Sequence, residues 1–184
     1  MNIIQSHSRI GAGVLDAQAL SERLAATLAT RHRTLATAES CTGGLVGVYI
    51  TAVPGSSAYF LGGMVAYANE AKVALLGVRP ETLAQFGAVS AETACEMAAG
   101  ARTRLGADIA VSVTGIAGPD GGTAAKPVGL VYIGLAAAGG VAAHRFVFAG
   151  DRAAVREAAV AAALTLVLEA LGTENATGSV PSDA

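Results

Sequence analysis

The sequence predicts a single α/β domain whose partly parallel sheet is covered by helices on both faces. Its 184 residues fit one domain with a sizeable core. Short apolar runs alternate with helical patterns along most of the chain. The composition is 53% hydrophobic and 14% charged, with no Trp, which indicates a core of small aliphatic side chains.

The first part of the chain alternates helix and strand. Leucines that recur every four residues predict a helix over residues 15–31. RTLATAES predicts a short strand with a polar end, and GGLVGVYITAV predicts a helix that stops at Pro54. The aromatic and β-branched run AYFLGGMVAYA predicts a second strand, with a bulge at Gly62 and Gly63.

The remainder continues this alternation. NEAKVALLG predicts a short helix, a second helix begins at Pro80, and Ser90 caps a third. The buried strand ADIAVSVTG leads into a long glycine-rich loop and then a strand pair that turns at Gly139 and Gly140, which gives the sheet an antiparallel edge. Asp151 caps the last helix. Residues 1–14 form an N-terminal extension, residues 15–171 the domain, and residues 172–184 a polar tail expected to be disordered.

Composition excludes several classes of protein. The two longest apolar runs fall short of the roughly 18 residues that a membrane-spanning helix needs. No secretory signal is visible, and Cys41 and Cys95 form no disulfide framework, so we expect a cytoplasmic protein. The net charge of −2 and the lack of a Lys/Arg cluster argue against nucleic-acid binding. The few surface charges predict a homo-oligomer, a dimer or larger.

Three polar segments follow predicted strands: Glu39 to Gly44, Tyr67 to Lys72, and Thr114 to Gly129. Ligands of open α/β sheets bind outside the carboxyl ends of the strands. The three segments together therefore predict one site, although each has a simpler explanation when taken alone.

The first segment, ESCTGG, joins a strand to a helix. Its glycines allow a ligand to approach the backbone, and the helix start offers N–H groups to an anion. The alternative is that Ser40 or Thr42 simply caps the helix. Cys41 has no histidine nearby in the sequence, and a small buried cysteine is commoner than a nucleophilic one.

The second segment contains Tyr67 and Lys72. A lysine can act as a base when burial lowers its pKa, and apolar residues on both sides favour that here. The alternative is an exposed lysine on an amphipathic helix. Upstream, Ser57 follows the turn at Pro54, where it is either a turn residue or a nucleophile that Lys72 serves.

The third segment, SVTGIAGPDGG, begins a long glycine-rich loop whose amides could form an oxyanion hole or hold a phosphate. Asp120 is expected to make the Pro-Asp-Gly turn, and Lys126 to be solvated. Arg152, in the first turn of the last helix, is unfavourable for the helix dipole. Either an anionic ligand or a surface salt bridge would explain it.

With these motifs in order, the sequence resembles the CinA C-terminal domain family. The resemblance is carried by TAESCTGGLVG, VPGSSAYFLGGMVAYANEAKVALLGV, GAVS, VSVTGIAGPDGGTAAKPVGLVYIG and GDR, and it runs from about Leu15 to Leu171. It implies a three-layer α/β/α sandwich with a mixed, mostly parallel sheet. It also implies hydrolysis of the carboxamide of nicotinamide mononucleotide, which yields nicotinate mononucleotide and ammonia without a metal or other cofactor.

Carried over to this chain, the family pattern implies a serine nucleophile with a lysine or tyrosine base. Ser57 is the predicted nucleophile and Ser40 the alternative. The implied catalytic positions are Ser40, Ser57, Tyr67, Lys72 and Thr114. The implied substrate-binding positions are Thr42, Gly43, Gly44, Gly115, Gly118 and Arg152, of which Gly43, Gly44 and Arg152 would hold the 5′-phosphate.

Two other classes of function remain open at this point. One is a non-catalytic nucleotide-sensing module built on the same glycine-rich loops. The other is a partner protein in competence or DNA repair, which only the family's name indicates. Release of ammonia from nicotinamide mononucleotide separates the first of these from an enzyme.

Overall fold

The helices and strands follow the predicted order. The structure, a computed structural model, describes residues 16–173. Its elements are α1 (Ala17–Arg31), β1 (Leu35–Glu39), α2 (Leu45–Thr51), a 3₁₀ turn (Ser56–Ala58), β2 (Phe60–Val65), α3 (Asn69–Leu76), α4 (Pro80–Phe86), α5 (Ala91–Leu105), β3 (Ile109–Gly115), β4 (Leu130–Ala137), β5 (Gly140–Val147) and α6 (Arg152–Thr173).

One mixed sheet of five strands organises the molecule, in the order β2-β1-β3-β4-β5. β1 pairs in parallel with both β2 and β3, whereas β3–β4 and β4–β5 are antiparallel. The antiparallel share is therefore larger than the sequence predicted. The β1–β2 register shifts between Leu35 and Ala36, which pair with Phe60 and Gly62, so the predicted irregularity lies beside Gly62.

Helices cover both faces of the sheet and create two apolar layers. Helices α1, α2 and α6 contact one another on one face, where the largest core cluster lies. Helices α3, α4 and α5 lie on the other face, with a smaller cluster rich in alanine. The predicted three-layer α/β/α sandwich is thus confirmed, and small side chains allow the layers to lie close together.

The helix starts use the predicted caps. Ser90 Oγ accepts the N–H of Thr93 at 3.2 Å, and Asp151 Oδ1 accepts the N–H of Ala154 at 2.9 Å. Such bonds satisfy N–H groups that a helix start leaves unpaired. They fix where α5 and α6 begin, at the end of the molecule where the polar segments gather.

The predicted terminal segments fall mostly outside the described residues. Residues 1–14 lie outside them entirely, and the tail is described only as far as Thr173, where α6 ends. Across residues 16–173, no helix has the length and apolar character to cross a membrane.

α5 is the most closely packed helix on its face of the sheet, and glycine makes this possible. A Cβ atom at Gly100 would overlap the carbonyl group of Leu76 in α3. A Cβ atom at Gly134 in β4 would likewise overlap the carbonyl group of Ala94 in α5. These contacts set the position of α3, which carries Lys72.

We predict that Gly100→Ala lowers the free energy of unfolding by about 1–3 kcal/mol, because overpacking outweighs the helix preference of alanine. Gly172→Ala is the matched control, since no atom lies within 4 Å of a Cβ built there. Urea unfolding of both variants measures the difference. Equal stability of Gly100→Ala and the control would contradict close contact between α3 and α5.

Candidate functional site

The three polar segments meet at one edge of the sheet. Because β1, β2 and β3 run parallel, their carboxyl ends lie side by side, as predicted. A cavity of about 300 Å³ opens there. Its lining includes Ser40, Cys41, Tyr67, Lys72, Thr114, Gly115, Gly118, Asp120 and Arg152.

The amine of Lys72 lies at the centre of this arrangement. Its Nζ atom is 3.2 Å from Ser40 Oγ, 3.1 Å from the carbonyl oxygen of Ala66 and 3.0 Å from that of Tyr67. α3 delivers the lysine and the end of β1 delivers the serine, although the two are 32 positions apart in the sequence.

Lys72 is almost completely buried, with an exposed fraction of 1%. The alternative of an exposed lysine on an amphipathic helix is therefore wrong. Burial lowers the pKa of Lys72, and the opposing influence of nearby Cys41 and Glu70 is smaller. No carboxylate is paired with the amine among the described residues. The surroundings thus make proton loss from Lys72 easier than from an exposed lysine.

Tyr67 and Arg152 form the outer part of the cavity. Arg152 donates to the hydroxyl oxygen of Tyr67 at 3.0 Å and to the carbonyl oxygen of Gly118 at 2.9 Å. The hydroxyl of Tyr67 therefore contacts Arg152, whereas its main-chain carbonyl contacts Lys72. No salt bridge of Arg152 occurs in residues 16–173, so its guanidinium retains N–H groups for a ligand.

Ser57 is placed differently from Ser40. It lies on the exposed 3₁₀ turn after Gly55 and is not part of the cavity lining. Its role as nucleophile remains a prediction from the sequence. In this structure Ser40, with 8% of its surface exposed inside the cavity, is the serine next to the lysine.

The ESCTGG segment does not offer its glycine amides to an anion. The N–H of Gly43 bonds to the carbonyl oxygen of Ser40, and the N–H of Gly44 bonds to the carboxylate of Glu39. The N-cap residue of α2 is Gly44, which has no side chain that could accept a capping hydrogen bond. Neither Ser40 nor Thr42 therefore caps the helix. The prediction that Gly43 and Gly44 hold the 5′-phosphate through their amides is therefore wrong.

Thr42 and Thr114 also differ from their predicted roles. Thr42 is fully buried and lies outside the cavity lining. The hydroxyl of Thr114, an implied catalytic position, donates to the carbonyl oxygen of Ala88 at 2.7 Å, so its proton is used within the protein. Gly115 and Gly118 do line the cavity, and no hydrogen bond within residues 16–173 uses the N–H of Gly118.

Cys41 lines the cavity as a thiol. Burial raises the pKa of Cys41 to about 11, which keeps it protonated near neutral pH. The sequence-based preference against a cysteine nucleophile agrees with this environment. No group of three or more His, Cys, Asp or Glu side chains in the described part of the chain is arranged to hold a metal ion.

Three residues that sequence reasoning missed support the site. The carboxylate of Glu39 accepts three main-chain N–H groups from the start of α2. Arg156 donates to the carbonyl oxygen of Thr42 at 2.8 Å. Lys126, expected to be solvated, donates to the carbonyl oxygens of Phe86 at 2.7 Å and Val89 at 2.8 Å. For Glu39, the available signal was a charged residue at the end of a strand that is buried at every position.

Lys126 anchors the loop that forms one side of the cavity. We predict that Lys126→Met speeds amide hydrogen exchange across residues 116–129 and lowers the free energy of unfolding by about 1.5–3 kcal/mol, the range for a hydrogen bond to a charged group. Lys126→Arg retains a cationic donor and is the control. Unchanged exchange in Lys126→Met would show that the loop is held by other contacts.

Comparison with known sequences identifies close relatives. Residues 17–171 match the CinA C-terminal domain. A CinA-like protein of Chloroherpeton thalassium is 53% identical over 156 residues, which are 83% of this chain and 37% of the relative. A CinA-like protein of Kosmotoga olearia is 51% identical over 154 residues, 84% of this chain and 37% of the relative. The chain thus spans somewhat over a third of these relatives.

Solved structures share the architecture over almost their whole length. The competence/damage inducible protein CihA of Agrobacterium tumefaciens superposes with a TM-score of 0.83 at 45% identity, covering 86% of this chain and 96% of that one. A CinA superfamily protein of Escherichia coli gives 0.82 at 32% identity, covering 92% and 95%. This chain therefore belongs to the CinA family, and its residues 17–171 correspond to the C-terminal domain of that family.

Proposed function

We propose that this domain is an amidohydrolase that converts nicotinamide mononucleotide and water to nicotinate mononucleotide and ammonia. The observation that carries the proposal is the contact of Lys72 Nζ with Ser40 Oγ on the cavity lining. A serine beside a buried amine is an arrangement suited to acyl transfer, since the amine can take the hydroxyl proton. The family resemblance supplies the substrate.

The direction of proton transfer follows from the three contacts of Lys72. A neutral amine has two N–H groups and one lone pair. If the N–H groups donate to the carbonyl oxygens of Ala66 and Tyr67, the lone pair faces Ser40 Oγ. Lys72 then accepts the proton of Ser40, and no second base is needed.

In the proposed reaction, Ser40 Oγ attacks the carboxamide carbon and its proton passes to Lys72. The tetrahedral intermediate collapses when the C–N bond breaks and Lys72 returns the proton to the departing ammonia. Water then attacks the acyl-enzyme in the same way, which releases the carboxylate and restores Ser40. We assign oxyanion stabilisation to the N–H of Gly118.

Arg152 is the proposed ligand of the 5′-phosphate. Its guanidinium lines the cavity and carries N–H groups beyond the two that contact Tyr67 and Gly118. Tyr67 orients Arg152 through its hydroxyl and holds Lys72 through its carbonyl. We propose this role in place of the tyrosine base that the family pattern implies.

Two expectations stay as proposals. Self-association is supported by the edge strand β2, where Leu61 and Val65 are exposed. The competence-related alternative is supported only by names such as that of CihA from Agrobacterium tumefaciens.

The test of the proposed function is ammonia release from nicotinamide mononucleotide, with nicotinamide as a second substrate and with and without a chelator. We expect ammonia from the mononucleotide, little from nicotinamide, which lacks the phosphate for Arg152, and no effect of the chelator. Binding without ammonia release would instead support the nucleotide-sensing module.

The nucleophile is tested by rapid acid quenching followed by peptide mass mapping. We expect a nicotinoyl-nucleotide adduct on Ser40, retained in Ser57→Ala and lost in Ser40→Ala. We also expect Ser40→Ala to lower kcat by at least about 10³-fold, as loss of a nucleophile does. An adduct that persists in Ser40→Ala and disappears in Ser57→Ala would reverse the assignment in favour of Ser57.

A further inference from the structure

Glu39 is a buried carboxylate whose partners are main-chain N–H groups. Its exposed fraction is 2%. Oε2 accepts the N–H of Gly44 at 2.9 Å and that of Val46 at 3.0 Å, and Oε1 accepts the N–H of Gly47 at 2.9 Å. No salt bridge of Glu39 occurs within residues 16–173. A buried negative charge is costly unless hydrogen bonds compensate it, and here three do so.

These bonds give the start of α2 an internal anion. The carboxylate lies where the helix dipole favours negative charge, and it takes amides that would otherwise be unpaired. The adjacent amides of Gly43 and Leu45 bond to the carbonyl oxygens of Ser40 and Thr42. These main-chain N–H groups are therefore used within the protein and are not available to an external phosphate.

The main chain of Glu39 connects the serine with the lysine. Its carbonyl oxygen accepts the N–H of Ala66 at 2.8 Å. The carbonyl oxygen of Ala66 in turn accepts Lys72 Nζ at 3.1 Å, while Ser40 follows Glu39 directly. A rotation of the peptide between Glu39 and Ser40 would therefore move Ser40 Oγ relative to the Ala66 carbonyl oxygen that accepts Lys72 Nζ.

We propose that Glu39 is a positioning residue of the reaction: its carboxylate fixes the start of α2 and thereby holds Ser40 at hydrogen-bonding distance from Lys72. The proposal rests on the proposed amidohydrolase function. Loss of the Glu39 carboxylate would misplace Ser40, and a misplacement of about 1 Å can cost roughly 100-fold in rate. Glu39 therefore affects turnover. Substrate affinity, which depends on Arg152, is affected little.

The test is Glu39→Gln, which keeps the side chain's size but replaces one accepting oxygen with a donor that faces a main-chain N–H. Glu96→Gln is the matched control. Glu96 is also a mostly enclosed carboxylate, which accepts from Arg79 and Thr82, and it lies outside the cavity lining. Two readouts apply to both variants: kcat and KM for nicotinamide mononucleotide, and amide hydrogen exchange at Gly44, Val46 and Gly47.

For Glu39→Gln we expect kcat to fall by roughly 10- to 100-fold with KM within about threefold, and exchange at the three amides to accelerate while β3 stays protected. Glu96→Gln should keep kcat unchanged. A kcat within about twofold of wild type would overturn the proposal, even if the melting temperature falls. Unchanged exchange at the three amides would overturn it independently of any activity, whereas failure of the wild-type protein to release ammonia would count against the proposed function instead.

Discussion

The site depends on a single physical constraint: an amine is buried where it cannot readily keep its charge. Lys72 is surrounded by two carbonyl oxygens and a hydroxyl, with no carboxylate paired to it among the described residues. Removal of an ammonium from water is expensive, so burial favours the neutral form. The same burial that costs stability lowers the pKa of Lys72, so the amine gives up its proton more readily than an exposed lysine does.

The fold supplies this burial through the parallel strands. β1 ends at Glu39, directly before Ser40. β2 leads to Ala66 and Tyr67, and α3 returns Lys72 to the same edge of the sheet. α5 lies so close to α3 that glycine is required at the contact. The catalytic proposal is thus tied to the core packing.

The sequence predicted the architecture and the location of the site because both follow from local patterns. Alternating strands and helices imply parallel strand ends, and polar segments at those ends imply a shared cavity. It could not choose between an exposed and a buried Lys72, because burial depends on the packing of α3. It also missed Lys126, whose acceptors lie 37 and 40 positions away. Glu39 escaped notice because its partners are main-chain groups, which residue identity does not reveal.

The most direct test of the account is NMR titration of Lys72 in protein labelled at lysine. Only two lysines occur in the chain, so Lys126→Arg assigns the Lys72 signal. Burial predicts a pKa below the ordinary lysine value, with the neutral amine appearing as pH rises through that lowered pKa. A pKa at or above the ordinary value would show that Lys72 is an ammonium at neutral pH, and that it cannot accept the proton of Ser40.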